Sequence, residues 1–332
     1  MTPYLLAFGS FLAVFFAFEA LGQHRPLTRT ERWLLLLPLG TFALSYAGRI
    51  GTDVERYGEL FGIAEQFPLE PGFSALMVAA KWLGLGYVEF TRVLAAIQIL
   101  LLGSIVLRLR EPLFFLLFYF GAFFLNFQFN AIRNSLALLI VAALYARLER
   151  PGIAALLGST VVHYSSLATL ALQRLALSRR EWLAVGLVVL AAALISLLWL
   201  RPELLGAQFS ELFVYSGYLE QEYESKTIYP ALLIKLVVVW LLYRNGGNRF
   251  YMVTYAVLVA LIHLISPVLS RISDLVLFLA TLDFCLRLRL ERYRLLAVGL
   301  TMALAASSLL IPWSDCQAGG EQNWCLVGTE SR

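Results

Sequence analysis

Charge is scarce in this chain. Asp, Glu, Lys and Arg together supply 14% of its 332 residues, where a soluble domain carries roughly 25%, so a hydrated globular surface is excluded. Cysteine is scarce as well, and its three residues without a CxxC spacing leave dithiol redox chemistry without a motif. HExxH, a P-loop and a GxGxxG opening a helix are all absent, so zinc hydrolysis and nucleotide binding have no support and neither a metal nor another cofactor is expected. No long basic tract offers itself to nucleic acid. No internal repeat of the kind that builds many secondary transporters stands out.

What is present is apolar. Hydrophobic residues make up 60% of the sequence, and its mean hydropathy is +0.76. Runs of about 20 apolar residues, the length that crosses a bilayer, recur from end to end with short polar interruptions. The expected fold is all-α, a single polytopic integral membrane helical bundle over residues 1–332, with about 11 membrane segments plus re-entrant or interfacial half-helices. The first run, Pro3 to Gly22, lacks a basic leading segment and is longer than a signal-peptide core, which predicts a retained helix.

Sixteen of the 26 Lys and Arg residues fall in six short clusters. These are Arg25, Arg29 and Arg32; Arg108 and Arg110; Arg147 and Arg150; Arg174, Arg179 and Arg180; Arg244 and Arg249; and Arg287, Arg289, Arg292 and Arg294. The positive-inside rule puts all six in the cytoplasm. The Glu-rich stretches 48–71 and 201–229 then become extracytoplasmic loops, and the N-terminus and the tail 313–332, with Cys316 and Cys325, lie outside.

Parity constrains the rest. Pro112–Ala146 starts and ends inside and would run roughly 50 Å as one helix, so two shorter helices are expected to meet outside with Arg133 at their turn. Val88–Leu107 supplies a single crossing, which leaves Phe73–Tyr87, broken by Lys81, as an interfacial or re-entrant piece. Gly152–Leu177 is too short for two crossings and reads as a pair of half-helices with His163 and Tyr164 near the tip. Non-helical backbone at that depth has to be buried in protein or line a watered cavity.

Arg49, Asp53, Arg133, His163, His263 and Arg271 thereby gather on the outer half of the protein. A charge deep in hydrocarbon costs roughly 2.5 to 3.5 kcal/mol on insertion scales, so such residues usually face a bundle interior or a cavity. Each also has a plainer account. Arg133 can snorkel at a helix end among Asn126, Gln128, Asn130 and Asn134. His163 can be satisfied by a backbone carbonyl, and Arg271 can pair with Asp274 three residues on. The aromatic loop that includes Tyr215, Tyr218, Tyr223 and Tyr229 can be an interfacial belt, although aromatic faces also suit sugars. Lys81 and Lys235 read as snorkelling anchors, and Cys285 as a small apolar residue.

The ordered stretches GTDVERYGELF, LEPGFSALMVAAKWLGLG, FNAIRNSLALLIVAALYARLER, HYSSL and SRISDLVLF resemble the EpsG family of bacterial exopolysaccharide polymerases, part of the wider Wzy group. The resemblance implies a multi-pass glycosyltransferase of the bacterial cytoplasmic membrane that joins lipid-linked repeat units on the outer face. The family's acidic loop motif falls on Asp53 with Tyr57, its arginine after a polar turn on Arg133, its histidine motif on His163 and its late membrane arginine on Arg271. Asn134 stands where the family often has Gln, and Tyr164 where a basic residue often follows the histidine.

In the implied reaction a sugar hydroxyl attacks an anomeric carbon whose leaving group is polyprenyl diphosphate. Arg133 and Arg271, with Arg49 as a third, are candidates to meet the charge growing on that diphosphate. His163 is the natural base, since histidine ordinarily titrates near working pH, and Asp53 competes for that role. Tyr57, Asn130, Tyr164, Tyr215, Tyr218 and His263 are candidate substrate contacts. The partners implied are an undecaprenyl-diphosphate-linked oligosaccharide, the growing glycan and membrane lipid, with a chain-length regulator protein as a further candidate. A lipid-linked glycan flippase and a glycan ligase are the competing classes.

Overall fold

In a computed structural model, the protein is described at residues 2–22, 25–51, 53–66, 71–148, 162–163, 165–177, 186, 228–264, 269–290 and 295–303. Helix is the only regular structure among these residues, as the hydropathy pattern predicts. The chain divides into two compact units, Met1–Leu170 with Cys285–Leu290 and Arg294–Arg332, and Ala171–Phe284 with Glu291–Tyr293.

The first unit is built on α1 (Thr2–Gly22), α2 (Arg29–Leu34), α3 (Leu37–Tyr46), α4 (Val54–Gly62), α5 (Pro71–Trp82), α6 (Tyr87–Val106), α7 (Pro112–Tyr119) and α8 (Ile132–Leu148). Among the described residues α6 is the helix long and apolar enough to cross a membrane by itself, and Gly9–Leu21, Pro112–Phe124 and Arg249–Ala260 are shorter apolar stretches. Helix α6 packs against both α3 and α8. Its last carbonyls have no partner within the helix. Arg32 supplies one, donating from Nη1 to the Val106 carbonyl at 2.9 Å and to the Leu109 carbonyl at 2.8 Å. Gly103 permits that approach, because the Trp33 ring lies where a Cβ at this position would be. Helix α2 itself starts at a capping box, with the Glu31 amide donating to Thr28 Oγ1 at 3.3 Å and the Thr28 amide donating to Glu31 Oε2 at 2.7 Å.

The arm that begins with α7 changes its hydrogen-bond register before it ends. Every residue of Pro112–Tyr119 is buried, and the chain continues as two π-helical turns, Phe120–Phe124 and Asn126–Asn130, to a bend at Ala131. Stacked pairs Phe120–Phe124 at 5.2 Å and Phe123–Phe127 at 5.0 Å line this arm, and Phe11 of α1 stacks on Phe120 at 5.0 Å. The break falls where the sequence placed it, two residues before Arg133. π-turns are uncommon and collect at functional sites.

The second unit contains most of α9 (Ser165–Leu177), all of α10 (Ile228–Arg244) and α11 (Arg249–Leu264), and α12 (Leu269–Arg287) as far as Phe284. Helices α10 and α11 form a hairpin. Gly246 takes φ 96° in its turn, and Asn248 Oδ1 accepts from the Phe250 amide at 2.9 Å, capping α11. Lys235 of α10 pairs with Asp274 of α12, Nζ to Oδ1 at 2.5 Å. This corrects one expectation: Lys235 is an interhelical partner rather than a lone anchor, while the expected Arg271–Asp274 pair rests on a side chain outside the described residues. Cys285 is fully buried and unpaired, as expected for a small apolar residue.

Candidate functional site

Two of the candidates, Tyr57 and Arg133, meet where α4, α5, α6 and α8 share an apolar core of Tyr57, Phe61, Phe73, Met77, Phe90 and Ile132 with their neighbours. Arg133 lies at the edge of that core, half-buried. Its Nε is 3.4 Å from the Tyr57 hydroxyl, and its guanidinium carbon stands 5.4 Å from the Tyr57 ring centre and 6.0 Å from that of Phe73. The two rings are 6.3 Å apart and tilted by 57°. A cation above tilted aromatic faces gains attraction from their quadrupoles and is aimed by them. Buried Gln98 of α6 fixes the start of α8, donating from Nε2 to the Ile132 carbonyl at 3.1 Å.

Asp53 is the residue before α4, and its carbonyl accepts from the Tyr57 amide at 2.9 Å, which sets the two one helical turn apart. Val162 packs against the same core, so His163, non-helical and partly buried just before α9, enters at its margin. Arg49 is exposed on the turn after α3, beside Gly48, whose φ of 68° brings that turn against Thr91 of α6. Lys81 departs from expectation. Its Nζ donates to the Gly62 carbonyl at 2.7 Å and sits 5.5 Å above the Phe61 ring, so it fastens α5 to the end of α4 rather than snorkelling.

Tyr87 is a residue that sequence reasoning missed. Its hydroxyl is buried without a hydrogen-bond partner among the described residues, and both Asp53 and Tyr57 are close enough to act on it electrostatically. A tyrosine opening a membrane helix reads as part of an interfacial belt, and nothing in the sequence pattern separates it from that role. Of the other candidates, Asn130 belongs by its backbone to the second π-turn, and His263 and Arg271 belong to α11 and α12 in the second unit. Their side chains lie outside the described residues, as do Tyr164, Tyr215, Tyr218, Cys316 and Cys325. Among the described residues no three His, Cys, Asp or Glu side chains gather at metal-binding distance.

The basic turns occupy the other end of the same helices. Arg32 meets the end of α6, the Arg110 amide donates to the Cys285 carbonyl at 2.7 Å, and buried Glu111 accepts from the Leu290 amide at 2.9 Å. Arg287 donates to the Tyr145 hydroxyl at 2.7 Å. Members of three arginine clusters, Arg32, Arg110 and Arg287, thus lie at one end of this unit. Tyr87 and Val106 are about 28 Å apart along α6 at 1.5 Å per residue, close to the roughly 30 Å of a hydrocarbon core. The Arg133 cluster packs along α6 from Phe90 in its first turn to Gln98 near its middle, and the basic turns lie at and beyond Val106.

A chain this apolar, with helix as the regular structure of its described residues and basic turns at the ends of α6 and α8, belongs to the class of membrane-associated helical proteins. The family is more specific: the model of the EpsG family matches residues 32–323, nearly the whole chain, and the protein belongs to that family of exopolysaccharide polymerases. No curated protein and no solved structure matches it.

Proposed function

We propose that the protein is a polysaccharide polymerase that joins polyprenyl-diphosphate-linked oligosaccharide repeats on the outer face of the cytoplasmic membrane. The observation that carries this reading is the setting of Arg133, a guanidinium held by Tyr57 and Phe73 on the first turn of α8, whose far end meets the basic turns through Tyr145. An acceptor hydroxyl oxygen attacks the anomeric carbon of a second lipid-linked sugar, and the bond from that carbon to the diphosphate oxygen breaks with its electron pair leaving on oxygen. Arg133, with Arg271 and Arg49 as further cations, stabilises the departing diphosphate by fixed charge and forked hydrogen bonds. The hydroxyl proton passes to His163 or Asp53. Tyr57, Tyr87, Asn130 and the aromatic loop with Tyr215 and Tyr218 orient the sugars, and His263 and Tyr164 complete the substrate contacts.

The transporter reading has one observation in its favour. The Lys235–Asp274 pair lies well inside its helices, whereas a fixed site at one face needs no charge there. Being paired, these two groups require no passing substrate, and we therefore prefer the polymerase. The test is the size distribution of surface polysaccharide in the native host, at matched membrane levels of the protein. Arg133→Ala should abolish long polymer while single lipid-linked repeats still reach the outer face. Unchanged long polymer would overturn the assignment, and loss of the repeats from the outer face would favour the transporter.

A further inference from the structure

Between α10 and α11 runs an open groove of about 320 Å³, lined by Leu236, Val237, Val239, Trp240, Met252 and Ala256. Its lining is apolar. In a bilayer this alone selects nothing, since lipid tails are as apolar as leucine. Selectivity has to come from the groove's end. There the hairpin turn carries two exposed arginines five residues apart, Arg244 closing α10 and Arg249 opening α11. The Arg244 guanidinium stands 5.7 Å from the Trp240 ring, at the point where the groove meets the turn. An indole at headgroup depth beside a cation matches the boundary between acyl chain and phosphate.

We propose that this groove and its two arginines form a binding site for an anionic glycerophospholipid, with one acyl chain along the groove and the phosphate against Arg244 and Arg249. The inference rests on the chain's residence in a membrane but not on its reaction. Charge complementarity identifies the occupant: basic recesses between membrane helices on the cytoplasmic side take anionic headgroups, and the arginine clusters assign this turn to that side. A zwitterionic lipid would fill the groove equally well but would gain little from the paired cations.

The test uses the full chain purified in mild detergent, with phosphatidylglycerol or phosphatidylcholine added and bound lipid counted by native mass spectrometry. Wild type should retain phosphatidylglycerol in preference to phosphatidylcholine. Arg244→Gln with Arg249→Gln should weaken phosphatidylglycerol retention about 10-fold and leave phosphatidylcholine unaffected, at an unchanged melting temperature. Ala256→Trp, which fills the groove, should weaken retention of both. Equal retention of the two lipids, a double variant that binds as wild type, or displacement of phosphatidylglycerol by inorganic phosphate alone would each overturn the site. Recovery of the chain from the soluble fraction of the host would instead overturn the membrane reading beneath it.

Discussion

The Nε of Arg133 lies 3.4 Å from the hydroxyl oxygen of Tyr57, across 76 residues of sequence. The contact joins the first turn of α8 to α4, and the ring of the same tyrosine lies beneath the guanidinium at 5.4 Å. Tyr57 therefore holds the arginine twice, by hydroxyl and by face. These two holds separate under substitution. Tyr57→Phe keeps the face and should lower long-polymer yield by less than 10-fold, in line with about 1 kcal/mol for a neutral hydrogen bond. Tyr57→Leu removes both holds and should lower it further. Arg133→Lys keeps the charge but loses the planar fork, and a loss of about 100-fold is expected if the fork meets the diphosphate. Gel profiles of surface polysaccharide at matched protein levels measure all three, and full activity in the lysine variant would show that charge alone suffices.

Lys235 and Asp274 behave as one element. Either alone would be a charge inside a membrane helix without its counter-ion, at a cost of about 2.5 to 3.5 kcal/mol. Lys235→Met and Asp274→Leu should each lower the melting temperature in detergent, and the double variant should recover most of the loss because no charge is then left unpaired. A double variant as unstable as the sum of the singles would mean that the pair is not the source of either effect.

Acid should loosen the start of α2. The Arg25 guanidinium, followed by the Thr28 amide, holds the Glu31 carboxyl well below the usual carboxylate range, down to about 2. A carboxyl depressed in the folded state stabilises it above its unfolded value and ceases to do so as pH falls through the folded one. The stability difference between wild type and Glu31→Gln should therefore be constant at neutral pH, shrink below about 4.5 and vanish near 2. Detergent melts across that range measure it, and a difference independent of pH would show that the carboxylate charge is not involved.

These outcomes also separate what the sequence reveals from what it hides. Arg133 stood out because an unexpected charge in a long apolar run is visible without any partner, and the polar residues around it marked the helix break at Ala131. Asp53 was marked by the acidic stretch it opens, and Tyr57 by the family resemblance alone. The roles of Lys81 and Lys235 were hidden, since each is fixed by a group elsewhere: the Gly62 carbonyl and the Asp274 carboxylate, 19 and 39 residues away. A lone lysine in an apolar run looks the same with or without such a partner. The π-turns were hidden for another reason, because a change from i+4 to i+5 hydrogen bonding leaves the hydropathy pattern nearly intact.

Tyr87 gives the sharpest separation of stability from function. A buried hydroxyl without a partner costs about 1 to 3 kcal/mol of desolvation, and the described residues around Tyr87 supply none. Its ring is already accommodated, 6.1 Å from that of Phe61. Tyr87→Phe should then leave the fold intact and raise its stability by about 1 kcal/mol. If the hydroxyl is kept for a sugar or diphosphate oxygen that enters beside Asp53 and Tyr57, the same change should cost about 10-fold in polymer yield. Stability and activity would thus move in opposite directions, as expected where a group is held unsatisfied until substrate arrives. A variant that is more stable and fully active would assign the hydroxyl no part in the reaction. A variant that is less stable would instead reveal a partner for it, and the polar end of α6 would be a structural feature rather than a substrate contact.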